Sequence, residues 1–397
     1  MNRRDFIKQS ALVSGSILLP SFLKPLSALG NSTGNKKLVI IQLSGGNDGL
    51  NTIVPYRNDI YYKVRPSISI AKDTVLKLND ELGFNPALKP LKSLFDAGNM
   101  CIINGVGYPN PDKSHFRSMD IWQSASSSSE VISTGWLGRY LDSNCDGCIQ
   151  PHHAIETDDS LSLALKGAAR KGMAIKEPAQ LSRVANEPFI KNVCSAVQTN
   201  MLTDDNLGYL YKTLIESEQS ANYVYSKVKT QKNIAEFDKE KFSQSMSLIS
   251  RFILSGLSTK VYYTSIGSFD THANQNNQQD RLLGQFAQGV KSFMDDIEQS
   301  SFKDDVLIMV FSEFGRRVAQ NAGQGTDHGT ASNMFLIGHN LKKQGLYNNP
   351  SNLQNLIDGD LIYDVDFRDV YATVLNKWLD ADAKKIIGNG CNVLDFL

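Results

Sequence analysis

The sequence predicts an α/β protein: a mainly parallel β-sheet with helices on both faces. Short, almost wholly apolar runs recur along the chain, each closed by polar or glycine-rich sequence, as strands buried on both faces require. Between and after these runs, apolar residues repeat at three- and four-residue spacing, the period of an amphipathic helix. The chain has 397 residues, 41% hydrophobic and 21% charged, so it can bury one large core or two medium ones. Disorder, collagen and coiled coil are excluded by that composition.

The first thirty residues stand apart from this pattern. Arg3, Arg4 and Lys8 form a basic start, a mildly apolar stretch runs from Ser10 to Leu23, and Ala28-Leu29-Gly30 supplies small residues suited to cleavage. The run from Asn2 to Lys8 resembles the twin-arginine export signal. Residues 1–30 are therefore expected to be a signal peptide, with the twin-arginine translocase as partner during export. The mature chain, from residue 31, is expected in the periplasm or secreted. Its apolar leader is too short to span a bilayer, and no later run reaches the roughly 18 apolar residues that a membrane helix needs. Without the leader, 37 basic residues face 40 acidic ones. Nothing in that balance favours nucleic acid or an anionic membrane surface.

The expected strands, in order, are Leu38–Leu43, Met100–Asn104, Val261–Ser265, Val306–Ser312 and Asn333–Ile337. A helix is expected where Leu282, Leu283, Phe286, Val290, Phe293, Met294 and Ile297 recur, and another from Phe367 to Trp378, capped by Asp366. Residues 178–258 show helical spacing without strand character, in Leu207, Leu210 and Leu214 and again in Met246, Ile249 and Phe252, and read as a helical insertion. Of the five cysteines only Cys145 and Cys148 are close. A single C-x-x-C is weak evidence for zinc, and a local disulfide or two plain thiols fit it better.

In an open parallel sheet, polar residues at the carboxyl ends of strands meet in one crevice. Four clusters occupy such positions: Gly45-Gly46-Asn47-Asp48-Gly49, Asp270-Thr271-His272, Ser312-Glu313-Phe314-Gly315-Arg316 and Thr326-Asp327-His328-Gly329. They hold the carboxylates and imidazoles that a divalent ion prefers. Each has a plain alternative: Asp48 as a turn residue, Asp270 and His272 as caps, Glu313 as an ion-pair partner of Arg316 or Arg317, His328 as a solvated loop residue. One ion needs three or four ligands, and successive strand ends supply them. A nucleophile is sought in Ser114, placed to begin a helix whose free N–H groups favour an anion, with Thr52 as second candidate. His152 and His153 read as one packed and one solvated residue.

The segments LVIIQLSGGNDGLN (38–51), SHFRSMDIW (114–122), FDTH (269–272), SEFGR (312–316) and TDHG (326–329) resemble the landmarks of the DUF1501 family, over essentially the whole mature chain. That family is grouped with the alkaline phosphatase and sulfatase superfamily. The resemblance implies an alkaline-phosphatase-like fold with a metal site at the strand ends. It implies Asp48, Asp270, His272 and His328 as metal ligands, Glu313 in place of a metal aspartate, and Ser114 as nucleophile. Phe314 stands where the superfamily has a second histidine, which weakens a second metal site. The expected activity is an exported hydrolase of a small phosphate or sulfate ester, using zinc, magnesium or calcium, with Arg316 or Arg317 clamping the anion. The alternative is a non-catalytic, metal-stabilised binding or assembly protein. A glycan-binding reading rests on Tyr61, Tyr62 and Trp136.

Overall fold

The computed structural model describes residues 36–143, 150–196 and 206–397. The twin-arginine segment and the Cys145/Cys148 pair lie outside the described residues, and Cys101, Cys194 and Cys391 are free thiols.

The central sheet is built from β1 (Lys37–Leu43), β2 (Met100–Gly107), β3 (Ala154–Glu156), β4 (Met173–Ala174), β5 (Val261–Ile266), β6 (Val306–Phe311), β7 (Ser332–Ile337), β8 (Gly345–Leu346) and β9 (Val365–Asp366). The spatial order is β8-β2-β7-β6-β1-β5-β3-β4, with β9 paired to β2. Every pairing is parallel except those of β7, which runs antiparallel to both β6 and β2. Antiparallel strands need no crossover helix, so a loop alone joins β6 to β7. This reversal matters for function, because β7 begins at the sheet end where the parallel strands finish.

The helices that concern the core and the site are α1 (Lys89–Asp96), α2 (His115–Ser124), α3 (Trp136–Ser143), α4 (Pro178–Ala185), α5 (Pro188–Ala196), α6 (Asn206–Val228), α7 (Lys241–Leu254), α8 (Gln275–Glu298) and α9 (Phe367–Thr373). Strand β1 is buried at all seven positions. Its side chains alternate: Leu38 and Ile40 enter one core, Val39, Ile41 and Leu43 the other. Helices α2, α3 and α9 cover the first face, where the Trp122 ring stacks between Phe311 and Phe367, and Trp136 stacks on Tyr371. Helices α1, α7 and α8 cover the second face, with Leu282, Leu283, Phe286, Val290, Phe293, Met294 and Ile297 all buried. Asp366 caps α9 by accepting the Arg368 N–H.

Residues 178–254 carry four helices, α4 to α7, in their described part. The last is part of the main body: α7 packs on α8 and β5, and its Met246, Ile249, Phe252 and Ile253 belong to the sheet's own core. Among the described residues no helix is long and apolar enough to cross a membrane.

Candidate metal centre

Five chain segments reach one end of the sheet: the turns after β1, β2, β5 and β6, and the loop leading into β7. They approach so closely that glycine is required. A Cβ at Gly45, whose φ is +117°, would come within 2.5 Å of Asp270 N, and one at Gly46 would strike the Phe314 ring. The Asp270–His272 segment is bracketed by Ser268 (φ 75°) and Asn274 (φ 47°), two non-glycine residues in left-handed backbone. Such residues persist only where their surroundings hold them.

The segments bring Asp270, His272 and His328 together with a residue the sequence reading left unassigned, His115 at the start of α2. Asp270 Oδ1 lies 3.0 Å from His272 Nε2 and 3.1 Å from His328 Nε2, and the two imidazole nitrogens are 3.0 Å apart. His115 Nε2 stands 3.5 Å from Asp270 Oδ2 and is buried with no hydrogen-bond partner. His115, Asp270 and His328 offer ligand atoms within 4.8 Å of one another. Donors bonded to one zinc ion at about 2.0–2.2 Å stand about 3.0–3.5 Å from each other, so these residues fit a metal ion.

The outer contacts set the histidine tautomers. His115 Nδ1 lies 2.9 Å from Glu313 Oε1, His272 Nδ1 lies 3.1 Å from Asp327 Oδ1, and His328 Nδ1 lies 2.8 Å from the Lys113 carbonyl. A carbonyl or a carboxylate only accepts, so each Nδ1 carries the hydrogen and each Nε2 presents a lone pair. All three lone pairs converge on Asp270. Lone pairs gathered beside a carboxylate repel unless a cation stands among them; His115, Asp270 and His328 lie close enough together to share one, with His272 beside Asp270 and His328.

The charges agree with this arrangement. Burial pushes the Asp270 carboxyl up, but the hydrogen bond and the positive charge of Arg316, with the neighbouring imidazoles adding to the effect, outweigh it and hold the group down at about 2. The Glu313 hydrogen bond raises the His115 imidazole above its ordinary value against the opposing effect of burial. Asp327 is lowered by its hydrogen bond from Asn321, with His272 adding to the effect. Asp270, His272 and Asp327 are exposed, so the centre opens to solvent.

Other residues named from sequence go elsewhere. Asp48 is sealed at 1% exposure: its carboxylate binds Arg65 Nη1 at 2.6 Å, accepts Gln275 Nε2, and caps a short helix through the N–H groups of Leu50 and Asn51. It is a structural anion, not a ligand of this centre. Glu313 is fully buried and joins neither Asp48 nor Arg316; it accepts from Gly45 N and orients His115. Arg316 is no anion clamp, because its donors are spent on the carbonyls of Gly45, Gly46, Phe269 and Thr326 and on Asp270. Arg317 turns outward to the Asp358 carbonyl and Asp360. Thr52 is buried, its hydroxyl donating to the Asp48 carbonyl, so it cannot attack a substrate. Tyr61 and Trp136 are buried and offer no platform to a glycan.

Ser114 sits as the N-cap of α2, exposed, its side chain making no cap hydrogen bond. Phe314 packs against both the His115 and His328 rings, 4.9 and 4.7 Å from their centroids. His115 could have been found from its place beside Ser114 in the same loop. Arg65 carried no sequence signal at all.

Fold and site together define an α/β protein with an imidazole-carboxylate cluster at the strand ends. The family model described as "Protein of unknown function (DUF1501)" matches residues 195–387, which bears out the resemblance over the motifs at 269–272, 312–316 and 326–329. No curated protein matches the chain. Among solved structures, the chain is similar to a protein in the alkaline phosphatase superfamily from Vibrio parahaemolyticus, at 11% identity and a TM-score of 0.41, covering 89% of this chain and 69% of that one. It is also similar to the lipoteichoic acid synthase LtaP from Listeria monocytogenes, at 10% identity and a TM-score of 0.43, covering 92% and 76%. At such scores neither likeness bears on the chemistry, which rests on the residues above.

Proposed function

We propose that the protein is an exported, metal-dependent hydrolase of phosphate or sulfate esters, with one divalent ion held by His115, Asp270, His272 and His328. The observation that carries this reading is the convergence of three imidazole lone pairs on one carboxylate, each ring locked by an acceptor on its far side. Three nitrogens and one oxygen suit zinc better than magnesium or calcium, which prefer oxygen. His115 contributes an imidazole from another loop where the resemblance leaves Phe314. When bound, such an ion lowers the pKa of a nearby hydroxyl and draws charge from an ester oxygen.

The chain's own residues supply the rest. Ser114 offers an exposed hydroxyl beside His115, and the first-turn N–H groups of α2 attract the anionic oxygens. Its Oγ bonds to phosphorus or sulfur as the bond to the alcohol oxygen breaks, and the serine proton passes through solvent to the leaving alcohol. Water then releases the anion and restores the serine. The twin arginines at Arg3 and Arg4 support export.

A second reading, a metal-stabilised binding or assembly protein, is favoured by the spent donors of Arg316 and the sealed Asp48. Turnover of p-nitrophenyl phosphate and p-nitrophenyl sulfate, with and without chelator and in Ser114→Ala, decides between them. Chelator-sensitive turnover lost in Ser114→Ala supports the hydrolase. A metal-loaded protein inert on both esters supports the second reading.

A further inference from the structure

The first turn of α2 brings His115 to the metal centre, yet beyond the Phe314 ring against His115 little apolar packing holds that turn in place. Phe116 is 87% exposed. Arg117 turns away to the carbonyls of Ser127, Ser128 and Glu130. Ser118 lies three positions after His115, on the same side of the helix, and is fully buried. Its Oγ donates to the Glu313 carbonyl at 2.5 Å, and Glu313 is the residue whose carboxylate meets His115 Nδ1 at 2.9 Å. One residue of the loop after β6 thus grips α2 twice, by its side chain and by its backbone. We propose that Ser118, backed by Tyr108, is a positioning residue that sets the place of His115 in the metal centre. The inference rests on the reading of that centre as a metal site, and does not need ester hydrolysis.

The hydrogen bonds run in one direction. The Asp112 N–H donates to Tyr108 Oη at 3.1 Å, Tyr108 Oη lies 3.0 Å from Ser118 Oγ, and the Ser118 hydroxyl donates onward to Glu313. The single Ser118 proton goes to a carbonyl that only accepts, so Tyr108 supplies the hydrogen between the two hydroxyls. Its other acceptor, the Asp112 carbonyl, is farther away at 3.4 Å. Tyr108 and Ser118 are 3% and 0% exposed, so water does not compete for these bonds. Asp112 also accepts the Ser114 N–H at 2.7 Å, which ties the loop before α2 to the same chain of bonds.

The far end of α2 is anchored by Trp122, stacked between Phe311 and Phe367. With that anchor alone the helix could pivot and carry the His115 ring away from Asp270. The bond at Ser118 is a second anchor, one turn from the imidazole. Asp270 and His272 are held independently of it, by Arg316 and Asp327. Loss of the Ser118 hydroxyl therefore acts on one ligand and spares these two.

Zinc titration of the full chain against a chromophoric competitor, in wild type, Ser118→Ala, His115→Ala and the double variant, reads the effect. Cobalt(II) absorption reports the ligand set. His115→Ala keeps three of the four proposed ligands and so remains titratable. The inference expects Ser118→Ala to weaken zinc binding about tenfold, the lower end of what loss of an outer partner costs a metal site. It expects the cobalt(II) spectrum of Ser118→Ala to move towards that of His115→Ala. In the His115→Ala background, Ser118→Ala should have no further effect on zinc, because no imidazole is left to position. A purely structural role would weaken both backgrounds alike and leave the cobalt(II) spectrum unmoved. That additivity, or wild-type zinc affinity in a folded Ser118→Ala, overturns the inference while leaving the metal centre standing. If Ser118→Ala does not fold, Tyr108→Phe carries the same comparison, with a smaller loss expected. A wild-type chain that takes up no zinc overturns both the positioning role and the centre. The expected zinc results in a protein inert on esters uphold the inference and sink only the hydrolase reading.

Discussion

His272 Nε2 and His328 Nε2 stand 3.0 Å apart, with the opposite nitrogen of each ring facing an oxygen acceptor. Both Nε2 atoms then carry lone pairs, and a cation between them turns repulsion into attraction. Binding of zinc to the folded chain alone should therefore stabilise it by about 2.7 kcal/mol at a hundredfold excess over Kd. Urea unfolding with zinc and with chelator measures this. His272→Ala should abolish the difference.

Asp48 was expected on a metal, and the structure gives it to Arg65. Breaking a buried pair by removing one partner leaves the other charge unsolvated. Asp48→Asn should thus destabilise the protein by about 3–5 kcal/mol. Its metal content should be that of wild type, because the Asp48 carboxylate is spent on Arg65, Gln275 and a helix cap. Loss of metal from a folded Asp48→Asn would return this residue to the centre.

Ser114 makes no side-chain cap bond, so its hydroxyl contributes little to α2. Ser114→Ala should change unfolding free energy by less than about 0.5 kcal/mol. Ester turnover should fall about 10³-fold or more, the scale seen when a nucleophile is removed. A stable variant with undiminished turnover would place the nucleophile elsewhere.

Two buried groups give stability opposite pH slopes. Burial, aided by the charge of His153, lowers His152 to about 4, so its neutral form is favoured on folding. That contribution is present above the unfolded value of 6.5 and is lost as pH falls from there towards 4. Burial raises Glu156 to about 7, so its contribution is present below 4.5 and is lost as pH rises towards 7. The two oppose each other in the native chain. In His152→Gln, stability should fall as pH rises across this window, by on the order of 2 kcal/mol, and in Glu156→Gln it should rise. Chemical denaturation between pH 4 and 8 reads both slopes.

The strands were legible because burial on both faces leaves runs such as LVII with nothing polar to confuse the period. The reversed direction of β7 was not, since an apolar run carries no arrow; only the helix-free loop after β6 hinted at it. That Asp270, His272 and His328 come together was legible because each follows or precedes a strand at the same sheet end. Asp48 and Glu313 satisfied the same positional rule yet serve as an internal counter-ion and a histidine support. Position at a strand end does not say whether a carboxylate faces solvent or an arginine 17 residues away in sequence. Arg316 misled for a related reason, since its charge was visible but the four carbonyls that absorb it were not.

The central claim is that His115, Asp270, His272 and His328 hold one divalent ion. Elemental analysis of the purified mature chain, beside Asp270→Asn and His328→Ala, tests it most directly. The account predicts one equivalent of zinc or a similar ion in the native protein and almost none in either folded variant. A native chain that takes up no ion after incubation with zinc, or variants that retain a full equivalent, would contradict it.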